Sequence, residues 1–148
     1  MKKILSVLCL TILIVSLLTA AAPLPNTTIR LIGPEELQVL NDPQAPTPTI
    51  TMNVGETLTV DVEVASDQQF LIAQALPSFQ FVGKGVVTVQ GGDHAGRGNS
   101  ATLSITFAAK SSTINFPEGV APVHVVVGVR YPGGYVAVQD YLFNVIVP

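Results

Sequence analysis

One alternating stretch, Thr57-Leu58-Thr59-Val60-Asp61-Val62-Glu63-Val64-Ala65, is the clearest sign of how this chain folds. Apolar residues occupy every second position from Leu58 to Val64, and polar or charged residues occupy the positions between them. Side chains of a β-strand point alternately to its two faces, so a period of two indicates one buried face and one solvated face. The stretch therefore predicts a half-buried strand.

The same alternation recurs on both sides of this stretch. It is found at Ile50–Val54, at Ala101–Phe107 and at Val123–Tyr131. The break Val54-Gly55-Glu56 predicts a turn or bulge before the stretch at Thr57, because glycine adopts backbone angles that other residues resist. Four strands are predicted from these patterns alone.

The C-terminal segment predicts a hairpin. Pro132-Gly133-Gly134 favours a chain reversal, and Tyr135–Val147 then returns as the last strand. Its pattern changes phase, because Val136 and Val138 lie on one parity and the apolar residues after position 140 lie on the other. A β-bulge near Gln139-Asp140 is predicted to reconcile the two parities.

Weaker strand patterns fill the middle of the chain, at Phe70–Leu76, Phe79–Val82 and Val86–Gln90. Gly91–Asn99 and Ser111–Gly119 are predicted to be loops. Strands every ten or so residues with turn signals between them are typical of sandwiches and barrels. We predict an all-β antiparallel sandwich of about seven to eight strands.

The N-terminus is typical of a cleaved signal peptide. Lys2 and Lys3 precede the apolar run Ile4–Leu18, and small residues at Thr19–Ala22 suit the signal peptidase. We predict a signal helix at residues 1–21 with the cut after Ala21; the alternatives are a cut one residue earlier or later, and an uncleaved membrane anchor. The expected location is secreted, periplasmic or cell-surface, with membrane contact only through an uncleaved leader.

A proline-rich segment, residues 22–48, separates the leader from the predicted sandwich domain at residues 49–148. One interpretation is a linker with an edge strand that closes the sheet. The other is an extended segment that pairs with a neighbouring subunit, since an extended piece completes a sheet edge through backbone hydrogen bonds.

Composition excludes several functions. Cys9 is the one cysteine and leaves with the leader, so the remaining chain has no disulfide or thiol chemistry. The net charge of −3 becomes −5 once Lys2 and Lys3 are removed, since five basic residues then face ten acidic ones. The remaining basic residues are scattered singly, whereas a nucleic-acid footprint needs clustered Lys and Arg, so we expect no nucleic-acid partner.

The densest polar segment is Gly91–Ser100, which contains Asp93, His94, Arg97 and Asn99. With one carboxylate and no EF-hand spacing, it does not predict a calcium site. It lacks the Gly-Lys-Ser/Thr ending of a phosphate loop, and no nucleophile elbow accompanies the histidine. We therefore expect no catalytic, cofactor or metal residues, and treat these four side chains as a candidate ligand or partner surface.

Three tyrosines, Tyr131, Tyr135 and Tyr141, bracket the last hairpin and complete the candidate surface. Exposed aromatic rings stack on sugars, but the hairpin core and turn can also use all three rings. Asp61 and Glu63 share one strand face, as some glycosidase pairs do, and we interpret them as its solvated side.

The order of these elements resembles the Ig-like domains of prokaryotic cell-surface and S-layer-associated proteins. The likeness is carried by Val54-Gly55-Glu56-Thr57-Leu58-Thr59-Val60 and by Val123-His124-Val125-Val126-Val127-Gly128-Val129-Arg130-Tyr131 with the following glycine turn and last strand. It covers roughly Thr49 to Pro148. The resemblance implies an Ig-like sandwich with an adhesive, spacer or assembly role.

We expect an exported, non-enzymatic structural or interaction protein that acts through sheet edges and loops. Its expected partners are other envelope or extracellular proteins, or itself. The alternative is a small extracellular binding module, with a glycan as the ligand.

Overall fold

The structure is a computed structural model that describes residues 23–77 and 85–148. The predicted signal peptide and the predicted strand Phe79–Val82 lie outside the described residues. Within these two ranges, no helix has the length and apolar character that crossing a membrane requires.

The described residues form nine strands. In chain order they are β1 Thr27–Gly33, β2 Thr49–Thr51, β3 Thr57–Phe70, β4 Ile72–Pro77, β5 Val87–Gly91, β6 Asp93–Ala95, β7 Gly98–Ala109, β8 Ala121–Arg130 and β9 Val136–Ile146. Short 3-10 segments occur at Glu35–Asn41, Pro117–Gly119 and Pro132–Gly134.

The strands build two sheets that pack face to face. The four-stranded sheet has the order β1-β3-β7-β5, and the five-stranded sheet has the order β2-β9-β8-β4-β6. All pairings are antiparallel except that of β2 with β9. Strands β1, β3 and β7 in one sheet lie opposite β4, β8 and β9 in the other. This is the strand arrangement of the Ig fold. The predicted all-β, Ig-like sandwich is confirmed, with nine described strands.

The core lies between the inner faces of the two sheets. Val60, Val62 and Val64 of β3 are fully buried, as the alternation at Thr57–Ala65 predicts. Phe107 of the four-stranded sheet meets Phe143 of the five-stranded sheet edge to face, with ring centroids 6.1 Å apart. Such contacts across the interior hold the two layers together.

Both predicted glycine turns are present. Gly55, between β2 and β3, has φ 88°, and Gly133, between β8 and β9, has φ 85°. These left-handed angles disfavour side chains with a Cβ, which is why glycine marks the turns in the sequence.

The predicted bulge near Gln139-Asp140 is wrong. The pairing of β8 with β9 runs without a shift from Arg130 opposite Val136 to Ala121 opposite Val145. The alternation of inward and outward side chains continues without interruption along β9. Val136 and Val138 therefore point outward and are about half exposed, whereas the predicted bulge would have turned them inward.

The predicted loop Gly91–Asn99 is also partly wrong. It contains β6, which pairs with β4 through His94 opposite Gln74, and β7 already begins at Gly98. The predicted strand Phe70–Leu76 is divided differently, since Phe70 ends β3 and Leu71 separates it from β4.

The proline-rich segment that precedes residue 49 contributes an edge strand. Strand β1 pairs antiparallel with β3, and Leu31 and Leu37 are buried in the core. The Asn41 side chain accepts a hydrogen bond from Leu31 N at 2.8 Å and donates one to Leu31 O at 2.8 Å. This amide occupies the backbone groups that an added strand would use at that point of the edge.

Candidate functional site

The outer side of the four-stranded sheet is polar. We call it the polar face and define it by Thr59, Asp61, Glu63, Thr102, Ser104 and Thr106, which alternate with buried residues of β3 and β7. The hydroxyls of Thr59 and Thr106 are hydrogen-bonded at 3.0 Å. Ser104 Oγ donates to Asp61 Oδ1 at 2.5 Å. Outward polar groups of neighbouring strands thus hydrogen-bond to each other. Asp61 and Glu63 lie on the solvated side of β3, as interpreted from the sequence.

The outer side of the five-stranded sheet is largely apolar. We call it the apolar face and define it by Ile72 and Leu76 of β4, Val126 of β8, and Val136, Val138 and Leu142 of β9. These residues alternate with buried ones, so they point away from the core. Four of them are strongly exposed: Val138 58%, Leu76 50%, Val136 48% and Leu142 42%.

The strand pairing places these side chains in adjacent rows. Val136, Arg130 and Ile72 form one row; Val138, Gly128 and Gln74 the next; and Asp140, Val126 and Leu76 the third. A Cβ added to the central Gly128 meets no atom within 4 Å, so the middle of the face is open. At about 4.8 Å between strands and about 6.7 Å between rows, the patch covers roughly 300 Å² with its side-chain margins.

The apolar face carries a single charge of each sign near its centre, Arg130 and Asp140, and both side chains are exposed. Asp140 Oδ1 lies 3.8 Å from Nε2 of His124, on the neighbouring strand. Arg130 and Asp140 are two rows and one strand apart, which separates their Cα atoms by about 14 Å. Two parallel side chains at that separation do not form an ion pair within one chain. His124 alternates with the buried valines of β8 and so lies on the outer side of the sheet.

An open groove of about 320 Å³ adjoins the apolar face, lined by Ile72, Gln74, Leu76, Gly92, Asp93 and His94. Both Asp93 carboxylate oxygens accept backbone hydrogen bonds: Oδ1 from His94 N at 2.8 Å, and Oδ2 from Ser104 N at 3.1 Å. Ser104 lies on β7, so this carboxylate joins β6 of the five-stranded sheet to β7 of the four-stranded sheet. Asp93 therefore has a structural role, beside an exposed His94.

Two other residues of the predicted surface, Arg97 and Asn99, are exposed around the start of β7. Gly98 lies between them, and Gly96 precedes Arg97. Across residues 23–77 and 85–148, no three His, Cys, Asp or Glu side chains come close enough together to hold a metal ion.

The predicted tyrosine surface is wrong for two of its three members. Tyr131 and Tyr141 are 1% and 2% exposed, whereas Tyr135 is 37% exposed and packs against Tyr131 with ring centroids 5.8 Å apart. The buried rings fill the sandwich interior and direct their hydroxyls to the other sheet. A three-ring platform for stacking on a sugar does not form.

The buried hydroxyls connect the two sheets. Tyr131 Oη donates to Ser66 Oγ at 2.7 Å and lies 2.6 Å from Thr27 Oγ1. Tyr141 Oη donates to the backbone oxygen of Ile29 in β1 at 3.0 Å. Burial raises the pKa of Tyr141 to about 12, against the opposing effect of the positive charge of Arg30. Both phenols act as hydrogen-bonding links, with Tyr141 neutral at ordinary pH.

The apolar face was not predicted from the sequence, although its signal is present there. Strand β9 has apolar residues on both parities, and β8 has Val126 between its inward valines. A strand that is apolar on both faces indicates either burial on both sides or an outward surface that another molecule covers.

Comparisons with known proteins give structural likenesses alone. No protein-family model and no curated protein sequence matches the chain. BcpA, the major pilin subunit of Bacillus cereus, is similar with a TM-score of 0.43 and 10% identity over 84% of this chain and 40% of the pilin. A variant of that pilin gives a TM-score of 0.44 at the same identity and coverage.

Murine CRIg is similar with a TM-score of 0.38 and 10% identity, over 83% of this chain and 98% of that one. The chain spans 40% of the length of the pilin subunit it resembles. The fold assignment rests on the strand order given above rather than on these likenesses.

Proposed function

We propose that this chain is an extracytoplasmic structural or interaction protein that works through its surface and has no catalytic activity. The apolar face carries the proposal. The largest contiguous apolar patch on a typical soluble monomer covers about 300–600 Å² and is often a functional site, and this face is roughly of that size. Here the patch lies on regular strands of the sandwich, so its shape is held by the fold.

The arrangement of the polar residues supports a non-catalytic role. Both oxygens of Asp93 are engaged by backbone N–H groups, so this carboxylate is not set up to accept a proton from a substrate. Tyr131 and Tyr141 use their hydroxyls to join the sheets. Asp93, Tyr131 and Tyr141 are thus used to hold the sandwich together.

The extracytoplasmic location is supported by the leader-like residues 1–21, and the way the rest of the chain is stabilised is compatible with it. After Cys9 the chain has no cysteine, and 25 buried apolar residues of the described part of the chain form a continuous core between the sheets. A core of this kind maintains the fold in any redox compartment.

The test is fractionation of cells that carry the gene, with the complete chain expressed as wild type, Val138→Lys or Thr102→Lys. Val138 lies in the central row of the apolar face, and Thr102 is an exposed residue of the polar face, so the two lysines form a matched pair. We expect processed wild-type protein in the envelope or external fraction, held there equally by the Thr102 variant and released by the Val138 variant. Unprocessed protein in the cytoplasm, or equal retention of both variants, would overturn the proposal.

A further inference from the structure

We propose that the apolar face packs against the same face of a second copy of this chain, forming a two-fold symmetric dimer. This inference rests on the proposed function and names the partner. Three properties of the face point to a second copy: its pattern of charge, its lack of net charge, and the open space above Gly128.

The charge pattern is self-complementary. Arg130 lies one row to one side of Gly128, and Asp140 lies one row to the other side on the neighbouring strand. A two-fold axis that runs across the strands at the level of Gly128 exchanges these two rows. Arg130 of each copy then faces Asp140 of the other, with a sideways offset of about 4.8 Å that an arginine side chain spans.

The three central rows of the face have no net charge, whereas the chain as a whole is acidic. Ten acidic residues occur in the chain, and Asp140 is the acidic residue among the three central rows, where Arg130 balances it. Asp61 and Glu63 lie on the polar face, on the opposite side of the sandwich. Two acidic copies therefore meet through the neutral part of their surfaces, where repulsion is weakest.

The centre of the face has room for a facing side chain. Gly128 has no side chain and open space above it, and Val138 stands beside it in the same row. Sheets that pack face to face lie about 10 Å apart with interdigitated side chains. Near the axis the two copies of Val138 would contact each other, and the missing side chains of the two Gly128 residues would leave space beside them.

The small area sets the expected strength. Standard interfaces bury about 800 Å² per partner, and the apolar patch with its polar margin lies at or below that size. We therefore expect a reversible dimer that dissociates on dilution through the micromolar range.

The first measurement is sedimentation velocity over a dilution series, on protein purified after expression of the complete chain. Wild type and Thr102→Lys are expected to dimerise, and Val138→Lys to weaken the dimer by about a hundredfold, because the substitution enters a two-fold interface twice. Cooperative thermal unfolding of both lysine variants, measured below the dimer range, would show that both are folded. A wild type that stays monomeric at millimolar concentration, or a Val138 variant that dimerises like wild type, would overturn the inference.

The second measurement tests the crosswise charge pair. Arg130→Asp places two like negative pairs in its own dimer, and Asp140→Arg places two like positive pairs, so each variant alone is expected to be monomeric. Mixed together, they form a heterodimer in which both pairs are again of opposite sign. Absence of a heterodimer in the mixture contradicts the proposed geometry.

The outcomes separate this inference from the proposed function. If wild type is monomeric but its envelope retention still depends on Val138, the function stands and the partner is a different protein. If the dimer forms as described but the protein remains in the cytoplasm, the dimer stands and the extracytoplasmic function is wrong.

Discussion

The two outer faces of this sandwich differ although both consist of extended strands with one buried side. On the polar face, outward hydroxyls and carboxylates meet across β3 and β7, as in the pairs Thr59 with Thr106 and Asp61 with Ser104. On the apolar face, the corresponding positions of β8 and β9 hold valine, glycine and leucine together with Arg130, His124 and Asp140. One face has its hydrogen bonds made within the chain, whereas the other exposes apolar surface that water solvates poorly.

The two sheets are therefore expected to contribute to stability and to association in different degrees. The polar face is complete as a solvent-facing surface and stabilises the pairing of its own strands. The apolar face contributes less to the isolated domain, because its side chains have no second layer to pack against. Substitutions on the polar face should therefore change stability, and substitutions on the apolar face should change association.

The largest expected effect on stability comes from Asp61→Ala. Asp61 is half buried and accepts the hydrogen bond from Ser104 Oγ, so its loss is expected to lower the free energy of unfolding by about 2 kcal/mol. The matched change on the apolar face is Asp140→Ala, where the side chain is 62% exposed and 3.8 Å from His124. We expect a change there of less than about 0.5 kcal/mol. Urea unfolding at concentrations below the dimer range measures both.

A double-mutant cycle sharpens this result. If the contribution of Asp61 comes from Ser104, then Ser104→Ala should add little to Asp61→Ala. Equal losses at Asp61 and Asp140 would contradict the comparison between the faces, since it would mean that both carboxylates are used alike.

A smaller effect is expected where the five-stranded sheet is linked to β1. Tyr141→Phe removes the hydrogen bond to Ile29 O and is expected to lower the free energy of unfolding by about 1 kcal/mol, measured by urea unfolding. Tyr135→Phe is the control on an exposed ring and should leave stability nearly unchanged.

The pH dependence of Tyr141 gives a second measurement of the same link. Its pKa in the folded chain is about 12, whereas an unfolded tyrosine ionises at about 10. Between these values the unfolded chain loses its proton while the folded chain keeps it, so stability is fully present below pH 10 and falls as pH rises to about 12. Tyr141→Phe should reduce that slope; an unchanged slope would show that other groups cause it.

The smallest expected effect is at the centre of the apolar face. Gly128→Ala adds a Cβ into open space and is expected to raise the free energy of unfolding by about 0.5 kcal/mol. In Gly98→Ala the Cβ would lie 3.3 Å from the backbone oxygen of Ser100, so that variant should be less stable than wild type. Thermal unfolding compares the two, and a destabilised Gly128 variant would mean that this part of the face is already covered.

Much of the fold was predictable because local patterns carry it. Alternation at β3, β7 and β8 predicted strands whose inward residues are buried, and the turns at Gly55 and Gly133 were predicted from residue types that tolerate left-handed angles. Little of the candidate site was predictable in this way. The sequence pointed to the segment Gly91–Ser100 and to three tyrosines, but two of those rings proved to be buried.

These errors arise because the sequence pattern of a strand that is apolar on both sides does not determine which side faces the core. For β9, apolar residues on both parities were compatible with a bulge or with one strand that is apolar on its outer face, and the pairing with β8 distinguishes them. Tyrosine is equally ambiguous, since its ring suits the core and its hydroxyl suits the surface. Its place depends on whether a partner such as Ile29 O lies within reach.

The sequence by itself determined that the chain is built from amphipathic strands, that it contains one cysteine near its N-terminus, and that its basic residues are dispersed. These are properties of composition and of near neighbours along the chain. Tertiary structure alone decided that Arg130, Gly128 and Asp140 lie in successive rows of one open face. That arrangement depends on the register between strands, which long-range pairing sets and no local pattern records.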